Sequence, residues 1–167
     1  KIKGHGNSTT IRIPDSIDGK FAEFLGLLIG DGYLRGKTPV FFNNDESMLA
    51  RFKELTKDLF ELDVNFGKIK NVKFSSIHSV VLYKLLTYLG VPKRQKSRKC
   101  SIPSLIMKSP NNIAFRFLSS YFDCDGYVGG GGKELELCTA SREMQIHISY
   151  LLLRLGIINS LRERTIS

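Results

Sequence analysis

Apolar residues fall into recurring runs along the chain. Residues 21–29 are almost all apolar and end at Gly30-Asp31-Gly32, the pattern of a buried helix with a glycine stop. Residues 33–42 read as one or two strands around a turn at Gly36-Lys37. Met48, Leu49, Phe52, Leu55 and Leu59 recur at helical spacing and predict a helix over 45–60. Two short strands are expected at 62–70 and 72–75, then an amphipathic helix over 79–89 closed by Gly90.

Residues 93–99 carry five basic residues in seven and lie between Pro92 and Pro103, which reads as a linker. The pattern then starts again. A second buried helix is expected over 115–124, ending in Asp125-Gly126. Strands are expected over 127–138 around the turn 129–132, an amphipathic helix over 141–155, and a strand over 158–165. Phe21, Asp31, Gly32 and Tyr33 match Phe115, Asp125, Gly126 and Tyr127 at constant spacing. After a small loop difference, Met48 and Leu55 match Met144 and Leu151. This internal repeat divides the chain into an N-terminal arm (1–18), a first repeat (19–91), a basic linker (92–110) and a second repeat (111–167). The first repeat runs on through a strand and helix, roughly 72–89, that the second lacks. The expectation from the repeat is therefore an incomplete second copy, completed by residues after Ser167 or by another chain.

The 167 residues, 42% hydrophobic, suffice for one domain or for two small halves sharing a core. The net charge of +9 exceeds what a fold needs and points to a polyanionic partner, although scattered solvated lysines would give the same number. Cys100, Cys124 and Cys138 are far apart and odd in number, which argues against a zinc site and a disulfide framework. No signal peptide is visible and no apolar run approaches the ~20 residues of a membrane span. A soluble intracellular, cytoplasmic protein with no membrane partner is expected.

Ala22, Gly26 and Gly30, four apart, line one face of the first helix, and Ser120 and Cys124 make a similar face on the second. Two such helices can pack closely and in parallel, placing Asp31 and Asp125 side by side at their C-terminal ends. The helix ends already carry partial negative charge, so two carboxylates there favour a hard divalent cation, Mg²⁺ above all or Mn²⁺. Such a site could activate water for phosphodiester hydrolysis. A single Asp-Gly after a helix is an ordinary turn signal. Two copies in matching register favour a site.

Residues 24–32 and 118–126 resemble the two motifs of a single-chain LAGLIDADG homing endonuclease. Ser101-Ile102-Pro103, residues 115–128 and residues 151–157 are similar to the endonuclease block of inteins. The resemblance covers most of the chain. It implies an α+β fold, an αββαββα unit duplicated about a pseudo-twofold axis, with saddle-shaped antiparallel sheets in DNA major grooves. It implies that Asp31 and Asp125 bind metal with the backbone carbonyls of Gly30 and Cys124, and cut both strands across the minor groove. Ile29 is apolar where the motif has an aspartate, while Asp123 keeps it. By the same resemblance His78 falls at or beside a position often held by a catalytic lysine, and Asn43 and Thr139 near solvent-ordering positions. His78 reads equally as a plain helix-start residue, and Asn43 and Thr139 as plain strand ends.

Arg35, Lys37, Lys68, Lys70, Lys73, Lys133, Arg162 and Arg164 fall on predicted strands or turns. Lys68 with Lys70, and Arg162 with Arg164, are two apart and would share a sheet face suited to phosphates and a major groove. A solvated outer face would look the same for any one of them. The expected function is site-specific cleavage of double-stranded DNA by a pseudo-symmetric monomer, with any splicing domain outside this chain. An RNA maturase and a non-cutting DNA-binding derivative are the alternatives. The retained aspartates weigh against the latter and the intein-like blocks against the former.

Overall fold

The computed structural model describes residues 10–93, 98 and 100–163. The elements are α1 (Gly19–Asp31), β1 (Gly32–Arg35), β2 (Thr38–Phe42), α2 (Glu46–Phe60), β3 (Asn65–Ile69), β4 (Val72–Ser76), α3 (Val80–Tyr88), α4 (Ser104–Met107), α5 (Asn111–Asp125), β5 (Gly126–Gly129), β6 (Glu134–Leu137) and α6 (Arg142–Arg154). A four-stranded antiparallel sheet has the order β1-β2-β4-β3, and β5 pairs with β6. This is the α+β architecture expected, with αββαββα in the first half.

Each half is built by the same local devices. Asp18 caps α1 by accepting from the Phe21 N–H at 2.8 Å, Asp45 caps α2 by accepting from Ser47, and Ser141 caps α6 by accepting from Met144. Such caps satisfy amides that a helix start leaves unpaired. Asp45 and Ser141 hold equivalent places in the repeat. Two residues earlier, Asn43 Oδ1 accepts from the Asp45 N–H at 2.8 Å and Thr139 Oγ1 from the Ser141 N–H at 3.2 Å. The turn into each second helix is thus the same structure written with different side chains.

The core forms around α1, whose residues Phe21, Ala22 and every position from Phe24 to Gly30 are buried. That is why its sequence is apolar all round instead of amphipathic. Phe24 stacks on Phe52 with centroids 5.1 Å apart, and Phe41 of β2 stacks on Phe52 at 4.6 Å. These contacts tie α1, α2 and the sheet together. From the second half, Phe117, Leu118, Met144, Ile148 and Leu151 join the same cluster.

Four expectations change. Ile11, in the expected arm, is fully buried, and the Arg12 N–H donates to the Phe60 carbonyl at 3.0 Å. The expected linker contains α4 and buries Cys100, Ile102 and Ile106. It is docked by Ser141 Oγ donating to the Cys100 carbonyl and by Arg154 donating to the carbonyls of Met107 and Ser109. Helix α5 starts at Asn111, just after Pro110, earlier than its apolar run indicates. Residues 158–163 form no strand, since β structure needs a ladder partner and none pairs with them among the described residues. Residues 164–167 lie outside the described residues.

Candidate metal and nucleic-acid site

Helices α1 and α5 pack in parallel and in register. Gly19 lies against Arg116, Gly26 against Ser120, and Gly30 against Cys124, so both chains ascend together. A Cβ on Gly30 would sit 2.5 Å from the Cβ of Cys124, and one on Gly26 would run into the Ser120 hydroxyl and lie 2.6 Å from the Phe117 carbonyl oxygen. Only glycine on α1 permits this approach. Cys124 Sγ donates a long hydrogen bond of 3.8 Å to the Leu27 carbonyl across the seam.

The residue after each member of the Gly30/Cys124 contact is Asp31 or Asp125. Both helices end in the same way. The Gly32 N–H donates to Leu28 O and the Gly126 N–H to Phe122 O, and both glycines are extended (φ −114° and −82°). The glycine stop is therefore not a left-handed cap. Its reason is space: a Cβ at Gly32 would meet Leu28 O at 2.7 Å and Val40 O at 2.8 Å, and one at Gly126 would meet Phe122 O. The chain passes straight from helix into β1 and β5, fixing each aspartate at the junction.

The two carboxylates are held differently. Asp31 is half-buried, and its Oδ2 accepts from Asn43 Nδ2 at 2.9 Å. Asn43 is itself fixed, its N–H donating to the Lys73 carbonyl at 3.1 Å and its Oδ1 accepting from Asp45. Asp125 is exposed, and the buried Tyr121 side chain, one helical turn earlier, neighbours its carboxylate. Burial, and then the neighbouring Asp125 carboxylate, push the Tyr121 phenol well above its ordinary range, so it stays a donor; Thr139 also bonds to it. Tyr121 was missed in the sequence. Its signal was the four-residue spacing to Asp125 on one helix face.

Carboxylates and the helix C-terminal carbonyls beside them, including those of Gly30 and Cys124, are hard oxygen ligands of the kind Mg²⁺ and Mn²⁺ take. Among the described residues, no three His, Cys, Asp or Glu side chains group to hold a metal. His78 is not brought to this pair. Ser76 pairs with Val40 and the Ile77 N–H donates to Pro39 O, so His78 follows β4 toward the Leu34–Pro39 end of the sheet. Asp31 precedes Gly32, whose partner is Phe41, at the other end. His78 is exposed there.

The basic residues do not form the expected sheet face. Lys68 lies directly opposite Lys73, and Lys73 Nζ bonds Glu46 of α2 at 2.6 Å, so this pair is on the helix side. Lys70 sits in the β3–β4 turn with φ 55° and leaves the alternation that would have paired it with Lys68. Arg35 ends β1 and Lys37 is in the following turn, both exposed. Lys133 is exposed in the β5–β6 turn, and Arg162 is exposed in irregular chain. Arg164 lies outside the described residues, as do residues 94–97 and 99 of the basic run. No helix among the described residues is long and apolar enough to cross a membrane.

Residues 112–167 match the LAGLIDADG-like domain. The chain is 42% identical over 156 residues to an A-type ATP synthase subunit of Pyrococcus abyssi, an alignment that takes in 93% of this chain but 15% of that protein. It is 38% identical over 149 residues to the replication factor C small subunit of Methanocaldococcus jannaschii, covering 87% of this chain and 8% of that one. A probable translation initiation factor IF-2 of Thermococcus kodakarensis is 31% identical over 146 residues, 84% of this chain and 12% of that one. The chain thus spans less than a fifth of each of these relatives. Among solved structures it resembles I-DmoI in complex with DNA and Mn, with TM-score 0.65 and 16% identity over 88% of this chain and 83% of that chain. Mesophilic variants of the homing endonuclease I-DmoI superpose with TM-score 0.65 at 18% identity, over 85% of this chain and 79% of theirs. Residues 112–167 thus match the LAGLIDADG-like domain, and over most of its length the chain has the fold of the homing endonuclease I-DmoI.

Proposed function

We propose that this chain is a site-specific endonuclease that hydrolyses phosphodiester bonds in double-stranded DNA with a divalent ion, Mg²⁺ or Mn²⁺, at Asp31 and Asp125. The observation that carries the reading is the in-register parallel packing of α1 and α5, which sets Asp31 and Asp125 beside the Gly30/Cys124 contact. Two carboxylates at two helix C-termini have no structural advantage without a cation. When bound, the ion would supply an activated water and stabilise the leaving oxygen. The chain's own part is orientation. Asn43 holds Asp31, Tyr121 neighbours Asp125, and the shared seam brings the two helix ends together. The pair is symmetric in backbone, which suits two strands of opposite polarity. We take residues 19–91 and 111–167 as the two units, with Ile11 before the first and Cys100, Ile102 and Ile106 between them packed into the shared core. Arg35, Lys37, Lys70, Lys133 and Arg162 supply exposed cations for phosphates.

The relatives also support an inserted origin. A replication factor, a translation factor and part of an ATP synthase share no activity, yet each contains this segment in 8–15% of its length. A segment common to such unlike proteins behaves as a mobile insert. We read it as intein-borne, with the splicing domain outside this chain.

The test is cleavage of a supercoiled plasmid library in Mg²⁺, with an RNA-binding control for the maturase alternative. The wild-type chain should linearise a subset of plasmids. Asp31→Asn should lose cleavage by at least ~10³-fold, more than the 10–100-fold typical of a residue one shell out, while DNA binding persists. If roughly six to ten phosphates are engaged, affinity should fall by about 10³–10⁵ between 50 and 200 mM salt. Full cleavage by Asp31→Asn, or a flat salt response, would refute the reading.

A further inference from the structure

The face of the first sheet turned away from the helices carries an apolar strip, flanked by Thr38, Ser76 and Asn65. Leu34 and Phe41 point into the core, so strand alternation turns Tyr33, Val40 and Phe42 the other way. Phe74 lies opposite Phe42, Gly67 opposite Phe74, and Ile69 opposite Val72 on that same outer face. Tyr33 stacks on Phe42 at 5.6 Å, and Phe42 meets Phe74 at 5.6 Å. The Phe74 ring lies over Gly67, where a Cβ would be 2.8 Å from its Cε1. Tyr33, Val40, Phe42 and Phe74 all lie outside the main core cluster, and Ile69 and Val72 are 43% and 42% exposed.

Cations stand at the ends of this face and not in its middle. Arg35 and Lys37 are at the β1–β2 turn and Lys70 is at the β3–β4 turn, all exposed. The face starts at the metal site, because Asp31 directly precedes β1. An apolar strip with cationic ends complements a DNA major groove, where phosphates rim a floor that carries thymine C5-methyl groups. Of the side chains that read base edges by hydrogen bonds, Asn65 stands on this face at the edge strand opposite Ser76, and beside it Phe42, Phe74, Val72 and Ile69 form an unbroken apolar stretch.

We infer that the first repeat reads part of its half of the DNA target through thymine methyl groups, packed against Phe74, Val72 and Ile69. This rests on the DNA reading above. Cross-strand aromatic pairs also stabilise a sheet, so the test must change the DNA and leave the protein as it is.

Duplexes selected by the whole chain from a random library would be remade with uracil in place of thymine, which removes only the methyl. Selected sequences should be rich in T·A pairs in one half, and each methyl lost there should weaken binding about fourfold. Uracil in the other half should have no such effect. Val72→Gln and Ile69→Gln, at exposed positions, should melt as the parent does, bind the uracil and thymine forms alike, and so lose the discrimination. Selective binding that is indifferent to the methyl throughout would overturn this inference alone. Absence of any DNA selection would overturn the DNA reading and this one with it.

Discussion

Leu34 and Val128 hold equivalent places in the two repeats, yet Leu34 is 2% exposed and Val128 62%. Phe41 and Leu137 show the same contrast, fully buried against half-buried. The first hairpin is backed by α2 and extended by β4 and β3. The second is a two-stranded ribbon whose inner face carries Val128 and Leu135 in the open, among the described residues. What the two halves share is backbone: the Asp-Gly junctions, the turns at Asn43 and Thr139, and the caps at Asp45 and Ser141. What they do not share, among the described residues, is packing. A duplicated site constrains the junctions that set its geometry.

The sharpest test of this contrast is a matched pair of truncations. Leu34→Ala should cost about 2–5 kcal/mol of folding stability, the range for a fully buried leucine. Val128→Ala should stay within roughly 0.5 kcal/mol, as exposed substitutions do. Denaturant unfolding of both variants measures this directly. Equal costs would mean that the two hairpins are equally packed and the comparison is false.

A smaller effect separates the two carboxylates. Asn43→Ala removes the donor to Asp31, and Tyr121→Phe removes the hydroxyl beside Asp125. Each should slow cleavage about 10–100-fold, the usual cost of losing a group that orients a metal ligand. Because each acts on one carboxylate, each should slow one strand more than the other, and nicked circles should accumulate on a plasmid substrate. Strand-specific end-labelling would show whether the two variants favour opposite strands. Identical strand bias from both variants would break the assignment of one donor to one carboxylate.

Much of this was legible in the sequence, and the reasons differ by element. The helices of both repeats were visible because buried apolar faces impose a period that survives divergence, and the matched Asp-Gly pairs revealed the duplication. The helix seam could be read from Gly26 and Gly30, since only a close partner explains glycines inside a helix. The direction of the lysines was not legible. Lys68 and Lys70 are two apart, but the left-handed residue at Lys70 ends the alternation, and that conformation leaves no mark on a lysine. The docking of the linker was not legible because its buried residues, Cys100, Ile102 and Ile106, are isolated among polar and basic neighbours. His78 was placed by resemblance alone, and the strand register carries it away from the carboxylates.

The smallest expected effect concerns how each half ties its first helix to its second. In the first half, Arg51 of α2 donates from Nε to Glu23 Oε1 at 2.6 Å and from Nη2 to Oε2 at 2.8 Å, and also bonds Glu54 at 2.7 Å. In the second half the equivalent places are Phe117 and His147, and the His147 Nδ1 is buried without a partner among the described residues. The first half therefore carries an ionic clamp between helices that the second lacks. The hydrogen bonds from Arg51 outweigh burial and hold the Glu23 carboxyl below its usual range. A depressed folded-state pKa means stability that is fully present above the unfolded value, about 4.3 for glutamate, and is lost as pH falls through the folded value. Glu23 is mostly buried but Arg51 is about one-third exposed, so solvent screening limits the clamp to about 1 kcal/mol. Glu23→Gln should therefore lower stability by about that amount at neutral pH. The variant and parent should converge as the pH drops below about 4, giving the variant the shallower acid limb. Thermal melts from pH 7 down to pH 3 would check this. Parallel curves across that range would show that Glu23 titrates normally and that the clamp adds nothing to the difference between the halves.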